Sequence, residues 1–120
     1  MLEKNLSIVV KGESAHGSTP HLGHDAIVAA CMILLNLQTF ISRRNDARKP
    51  VVLNIGSMNG GKAINIICDR VDMEGILRVS QPEQYEWVRQ ELNQIVEYTA
   101  KTFHCGAELS FQNPVQNRQV

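Results

Sequence analysis

The chain carries no surplus of charge of either sign: Lys+Arg and Asp+Glu number 12 each among 120 residues, for a formal net charge of zero. A protein that grips a phosphate backbone needs a basic surplus on one face, so nucleic acid is a poor partner for this sequence. Aromatic residues are scarce at 5%, which leaves little on which bases could stack. Cysteine is limited to Cys31, Cys68 and Cys105, widely spaced and without a Cys-x-x-Cys pair. That odd, scattered set reads as reduced thiols in a reducing compartment, and a cytoplasmic location is expected. The N-terminus lacks the apolar core of a signal peptide, because Leu6 to Val10 is short and broken by Ser7. No uninterrupted apolar run approaches the roughly 18 residues of a membrane span, so no membrane partner is expected.

What is present suits one soluble domain. Hydrophobic residues make up 43% and charged residues 20%, and a chain of this length can bury a core without metal or disulfide support. Leu6, Ile8 and Val10 alternate with more polar positions from Asn5 to Lys11, predicting a half-buried strand. KGESAHGSTPHLG (Lys11 to Gly23) is too rich in Gly, Ser and Pro for regular structure, and such polar loops tend to carry function. A helix is predicted over 24–44 with Asp25 in its first turn. Its middle, Ala26 to Leu35, is apolar almost all the way round. A helix lying on a sheet needs only one apolar stripe, so the surplus points to a subunit interface.

Val51 to Met58 reads as a second strand with Val51, Leu53 and Ile55 inward. It contains neither Pro nor Lys, so nothing in it blocks pairing through an open edge. The loop 59–69 leads to a third strand, Arg70 to Val79, whose Val71, Met73, Gly75, Leu77 and Val79 share one face. Such clean alternation belongs to an antiparallel sheet with one uncovered face. Ser80-Gln81-Pro82-Glu83 predicts a capping box that opens a second helix, running to about His104 and stopped by Gly106. Ala107, Leu109 and Phe111 then alternate in a last strand. Residues 5–112 are the expected structured core and 113–120 a tail or linker. The order strand–helix–strand–strand–helix–strand folds into a ferredoxin-like α+β sandwich, a four-stranded antiparallel sheet with two helices on one face.

That topology sorts the polar residues that a packed core does not need. The loop bearing His16 and the loop bearing Asn65 should leave the same end of the sheet. Arg78 lies seven steps along the third strand from Val71, about 23 Å away at 3.3 Å per step. One copy cannot bring all three together. Antiparallel pairing through the 51–58 edge, with the 24–44 helix buried in the same contact, would set His16 and Asn65 of one copy near Arg78 of another.

GESAHGSTPHLGHDAIVAA, NLQTFISRR and VVLNIGSMNGGKAINIICDRVDMEGILR resemble the lid, or dimerisation, domain of the di-zinc aminoacylase and carboxypeptidase G family, nearest its hippurate hydrolase and auxin–amino acid amidohydrolase branch. The paired signatures are Gly-x-x-x-His-x-Ser and Gly-Gly-x-x-x-Asn-x-Ile followed by Gly-x-x-Arg. The resemblance implies a homodimer that hydrolyses N-acyl amino acids or similar amides with two zinc ions. It implies that His16 stabilises the oxyanion in the partner's site. It also implies that Asn65 contacts the substrate, that Arg78 holds its carboxylate, and that Gly60 and Gly61 let the backbone approach it. Cys68 stands where the family often has Pro, which leaves the loop shape open. No His-x-Asp motif, adjacent Glu pair or later metal histidine occurs here, so the zinc ions are expected in a catalytic domain outside these residues and the 120-residue piece should hydrolyse nothing alone.

Other readings stand beside this one. The lid could serve a di- or tripeptidase of the same family, or the chain could be a free-standing ferredoxin-like module that binds a ligand or partner. His16 could be a solvated loop histidine, Asn65 a turn residue, and Arg78 the partner of Asp72 or Glu74 in a surface ion pair. His16, His21, His24 and Cys31 match no zinc spacing, Cys68 sits near the cleft, and His104 suits a helix C-terminus.

Overall fold

Alternating apolar residues build β1, Leu2–Lys11, with Leu6, Ile8 and Val10 buried; it begins three residues before the expected Asn5. The remaining strands of the computed structural model, which describes residues 1–114, are β2 (Val51–Gly60), β3 (Arg70–Val79) and β4 (Gly106–Gln112). They form one antiparallel sheet in the order β2-β3-β1-β4. Helices α1 (Ala26–Thr39) and α2 (Tyr85–Thr102) pack together over one face. This is the expected ferredoxin-like sandwich. Of the expected tail, residues 115–120 lie outside the described residues.

The predicted 24–44 helix is two pieces. Asp25 sits just outside α1 as its cap, accepting hydrogen bonds from the N–H groups of Ile27 (2.9 Å) and Val28 (3.3 Å). This satisfies orphan donors of the first turn and places a carboxylate at the positive end of the dipole. Past Thr39 the backbone widens into a π-helical turn, Phe40–Arg44, which seats Phe40 in the core. Ala26, Ala29, Ala30, Ile33, Leu37 and Phe40 are the buried stripe of α1–Phe40. A second stripe is left outside: Ile27, Val28, Met32 and Leu35 are 42%, 43%, 37% and 60% exposed. The expectation of no span-length apolar segment is corrected here, because the few polar residues in this helix do not offset its apolar majority. By length and composition Ala26–Arg44 is apolar enough to cross a membrane, although its inner face lies on the sheet.

Three further details differ. On β2, Gly56 is an extra residue: Ile55 pairs with Gly75 and Ser57 with Glu74, a β-bulge. The bulge flips the alternation, so Met58 rather than Ser57 faces inward, against Met73. The capping box before α2 moves by one residue. Gln84 Oε1 accepts from the N–H of Gln81 at 3.1 Å and from Ser80 Oγ at 3.2 Å. At the far end His104, with φ 58°, takes the left-handed position that closes α2, and Gly106 is simply the first residue of β4.

The core joins the inner stripe of α1 to Val71, Met73, Leu77 and Val79 of β3 and to Val88, Leu92 and Val96 of α2. Between the helices, Asn36 Nδ2 donates to Thr99 Oγ1 at 3.0 Å. Ile33 has no exposed surface, so Ile33→Ala should cost about 2–5 kcal/mol in urea unfolding. A loss under about 1 kcal/mol would remove Ile33 from the packed core.

Candidate functional site

β3 runs back between β1 and β2, so the segments that follow β1 and β2 leave the sheet at one end. They are hydrogen-bonded to each other there. Gly17 N–H donates to Asn65 O at 2.7 Å and Ile67 N–H to Ala15 O at 2.8 Å, with His16 and Ile66 forming an isolated antiparallel bridge. His16 and Asn65 are therefore brought together as expected, on a backbone ladder outside the main sheet. Both are exposed. His16 Nδ1 accepts from Ser18 N–H at 3.1 Å and lies 2.7 Å from Ser18 Oγ. Ser18 escaped the sequence reading, although the His-x-Ser spacing was the available signal.

Arg78 lies at the other end of β3, opposite Glu3 of β1 and Val52 of β2. Its Nε donates to Glu3 Oε1 at 3.0 Å. The expected surface partner, Asp72 or Glu74, is corrected. Asp72 is gripped by Arg70 through Nε (3.0 Å) and Nη2 (2.9 Å), and that guanidinium holds its carboxyl below the usual range. Glu3 lies in the part of β1 before Asn5, beyond the strand that the sequence predicts. One bond to Glu3 engages one of the five N–H groups of Arg78.

The two glycines have distinct local reasons. Gly60 ends β2 where a Cβ would sit 2.8 Å from Arg70 O, so it allows close strand contact. Gly61 has φ +98°, and Ile27 Cδ1 would lie in ordinary van der Waals contact with a notional Cβ at 3.9 Å. Beneath the hairpin lies a cleft of about 470 Å³ lined by Ser14, Gly60, Lys62, Ile67 and Asp69 among others. Lys62 and Asp69 face each other at 4.0 Å. Ile64, beside Asn65 at the hairpin tip, is fully exposed.

The remaining candidates lie elsewhere. His24 lies 3.7 Å from Glu13 and against the His104 ring at 5.6 Å, while His21 is exposed in the turn Pro20–Leu22. Cys68 is buried, with its Sγ donating to Arg70 O at 3.0 Å. Burial pushes the Cys105 thiol up, with Asp25 adding to the effect. Among the described residues, no three His, Cys, Asp or Glu side chains gather as a metal site.

Residues 4–104 match the family model described as the peptidase dimerisation domain. The chain belongs to that family. A probable hydrolase of Synechocystis is 36% identical to this dimerisation domain over 115 residues, covering 96% of the chain and 29% of the relative. N-acetyldiaminopimelate deacetylase of Priestia megaterium is 32% identical over 106 residues, covering 88% and 28%. Among solved structures, a Bacillus subtilis dinuclear metal-binding peptidase of the M20 family superposes with a TM-score of 0.70 at 25% identity, covering 92% of this domain and 25% of that chain. The dimerisation domain thus spans less than a third of the length of these relatives.

The φ of Gly61 favours glycine whatever the space around it. Gly61→Ala should destabilise the domain by about 1–2 kcal/mol, read as a lowered melting temperature with faster amide exchange in 61–67. An unchanged melt would show that the hairpin is not held in this conformation.

Proposed function

We propose that this domain is the dimerising, substrate-binding lid of a metal-dependent amidohydrolase that cleaves N-acyl amino acids or similar amides. The observation that carries the reading is a split in the polar residues. His16 and Asn65 are bonded onto one ladder at one end of the sheet, and Arg78 stands toward the other end, about 23 Å along β3 from Val71. No single copy makes a site from all three. A two-fold antiparallel joining of β2 edges would put the loop end of one copy beside the Arg78 end of the other.

Three features favour that joining. Among the described residues β2 is an edge strand, bonded to β3 alone. The outer stripe of α1, Ile27 to Leu35, is apolar and exposed, and an interface would remove it from water. Ile27 also borders Gly61, so this stripe runs into the hairpin carrying Asn65 and the exposed Ile64.

In the assembled site His16 would donate a hydrogen bond to the oxygen that gains charge as the amide carbonyl becomes tetrahedral. A preorganised donor there is worth most because it needs no reorientation during reaction. Asn65 would bond the amide or acyl oxygen, and Arg78 of the partner subunit would hold the substrate carboxylate. Among the described residues, no cluster of side chains fits a metal pair. The two zinc or similar ions that polarise the amide and supply the nucleophile would belong to a catalytic domain outside the 120 residues. The exposed donors of this chain bind and orient, and no step is assigned to it beyond those bonds.

The chain should sediment as a dimer at micromolar concentration, and Leu35→Glu should shift it to monomer by charging the outer stripe of α1. A monomer at all concentrations would remove the shared site. In the full-length enzyme, His16→Ala should cut kcat by about 100-fold or more, as for loss of an oxyanion donor. Arg78→Ala should mainly raise KM for carboxylate-bearing amides, and an equal loss with a carboxylate-free amide would contradict its role.

A further inference from the structure

We infer that Ser18 is a positioning residue that fixes the tautomer of His16, holding Nδ1 as acceptor so that the ring presents Nε2–H as its donor. A backbone N–H can only donate, so the 3.1 Å contact from Ser18 N to His16 Nδ1 requires a lone pair on that nitrogen. A neutral imidazole with a bare Nδ1 carries its proton on Nε2. Ser18 Oγ, 2.7 Å from the same nitrogen, then donates to it as well.

The local chain makes this contact a consequence of the fold. Thr19 N–H closes a tight turn onto His16 O at 2.9 Å, and Thr19 Oγ1 reaches the same oxygen at 3.3 Å. Gly17 and Ser18 are the central residues of that turn, which folds Ser18 back beneath the imidazole. Gly17 is held from the other side by Asn65 O, and a Cβ on Gly17 would stand 3.1 Å from that oxygen. The ladder that sets the position of Asn65 therefore also sets the turn that orients the His16 ring. An oxyanion needs a donor, and the wrong tautomer would present a bare nitrogen to it.

The inference rests on the lid reading for its catalytic meaning but not for its chemistry, and the two are tested apart. Nitrogen-15 imidazole spectra of the 120-residue chain, taken on the neutral ring at alkaline pH, should show His16 with a bare Nδ1 and a protonated Nε2. Ser18→Ala keeps the backbone donor but loses the hydroxyl, so the Nδ1-protonated share should rise, and Ser18→Thr should restore the original spectrum. In the full-length enzyme Ser18→Ala should lower kcat by about three- to tenfold, the scale of one orienting hydrogen bond, with KM little changed and with recovery in Ser18→Thr. Proton on Nδ1 in the unaltered chain overturns the inference, as does a Ser18→Ala variant with unchanged tautomer and unchanged kcat. If His16→Ala leaves turnover intact while the spectra come out as expected, the lid mechanism fails and the tautomer assignment stands.

Discussion

Antiparallel pairing of β3 with both of its neighbours is the constraint from which the rest follows. Because β3 runs back between them, β1 and β2 must point the same way and release their following segments at one end of the sheet. Those two segments are irregular in sequence for different reasons, one rich in Ser, Gly and Pro and the other opened by a glycine pair. Neither could hold a shape alone. Held side by side by the sheet, they pair with each other through Gly17, Asn65, Ala15 and Ile67. A two-rung backbone ladder turns two loops into one rigid platform, which is what a preorganised hydrogen-bonding site requires.

The second constraint is apolar. One side of α1 is spent on the sheet and the other, at Ile27, Val28, Met32 and Leu35, is left in water. The π-helical turn at Phe40 follows from the same demand. Widening the helix there rotates Phe40 into the core, where it meets Trp87 at 5.5 Å between ring centroids, while Arg44 pairs with Glu91 of α2. The inner face is thus fully satisfied within this chain, and the outer face is satisfied by nothing in it among the described residues.

The parts of the fold that were legible in the sequence are those governed by strict periodicity. Arg70 to Val79 alternates without interruption, and its strand ends where the pattern ends. β2 was harder, because the Gly56 bulge breaks the period of two and no residue type announces which glycine will be the extra one. The start of β1 was hidden by Lys4 and Glu3, which look like a polar terminus until β3 lies beside them, and with it went the Glu3–Arg78 pair. The cap shifted by one residue because Ser80 and Gln81 both carry a side-chain oxygen that can accept a hydrogen bond, and Gln84, whose Nε2 also donates to the Lys49 carbonyl, reaches back to the N–H of Gln81. His16 and Asn65 could be placed at one end from topology alone. Their direct backbone bonding could not, since bridges between loops leave no periodic trace.

The first strand starts and the last strand stops at the same end of the sheet. Leu2 of β1 sits opposite Val79, and Gln112 of β4 opposite Asn5, so the first and last residues of the sheet lie at the end remote from His16 and Asn65. Any polypeptide continuing from those two points would hold the domain by its root, as a blade is held by its handle. The platform of His16 and Asn65 is then the tip of a lever whose length is that of β1, about 30 Å for nine steps. A slight rotation at the root would sweep the imidazole across several ångströms while leaving every bond within the platform intact.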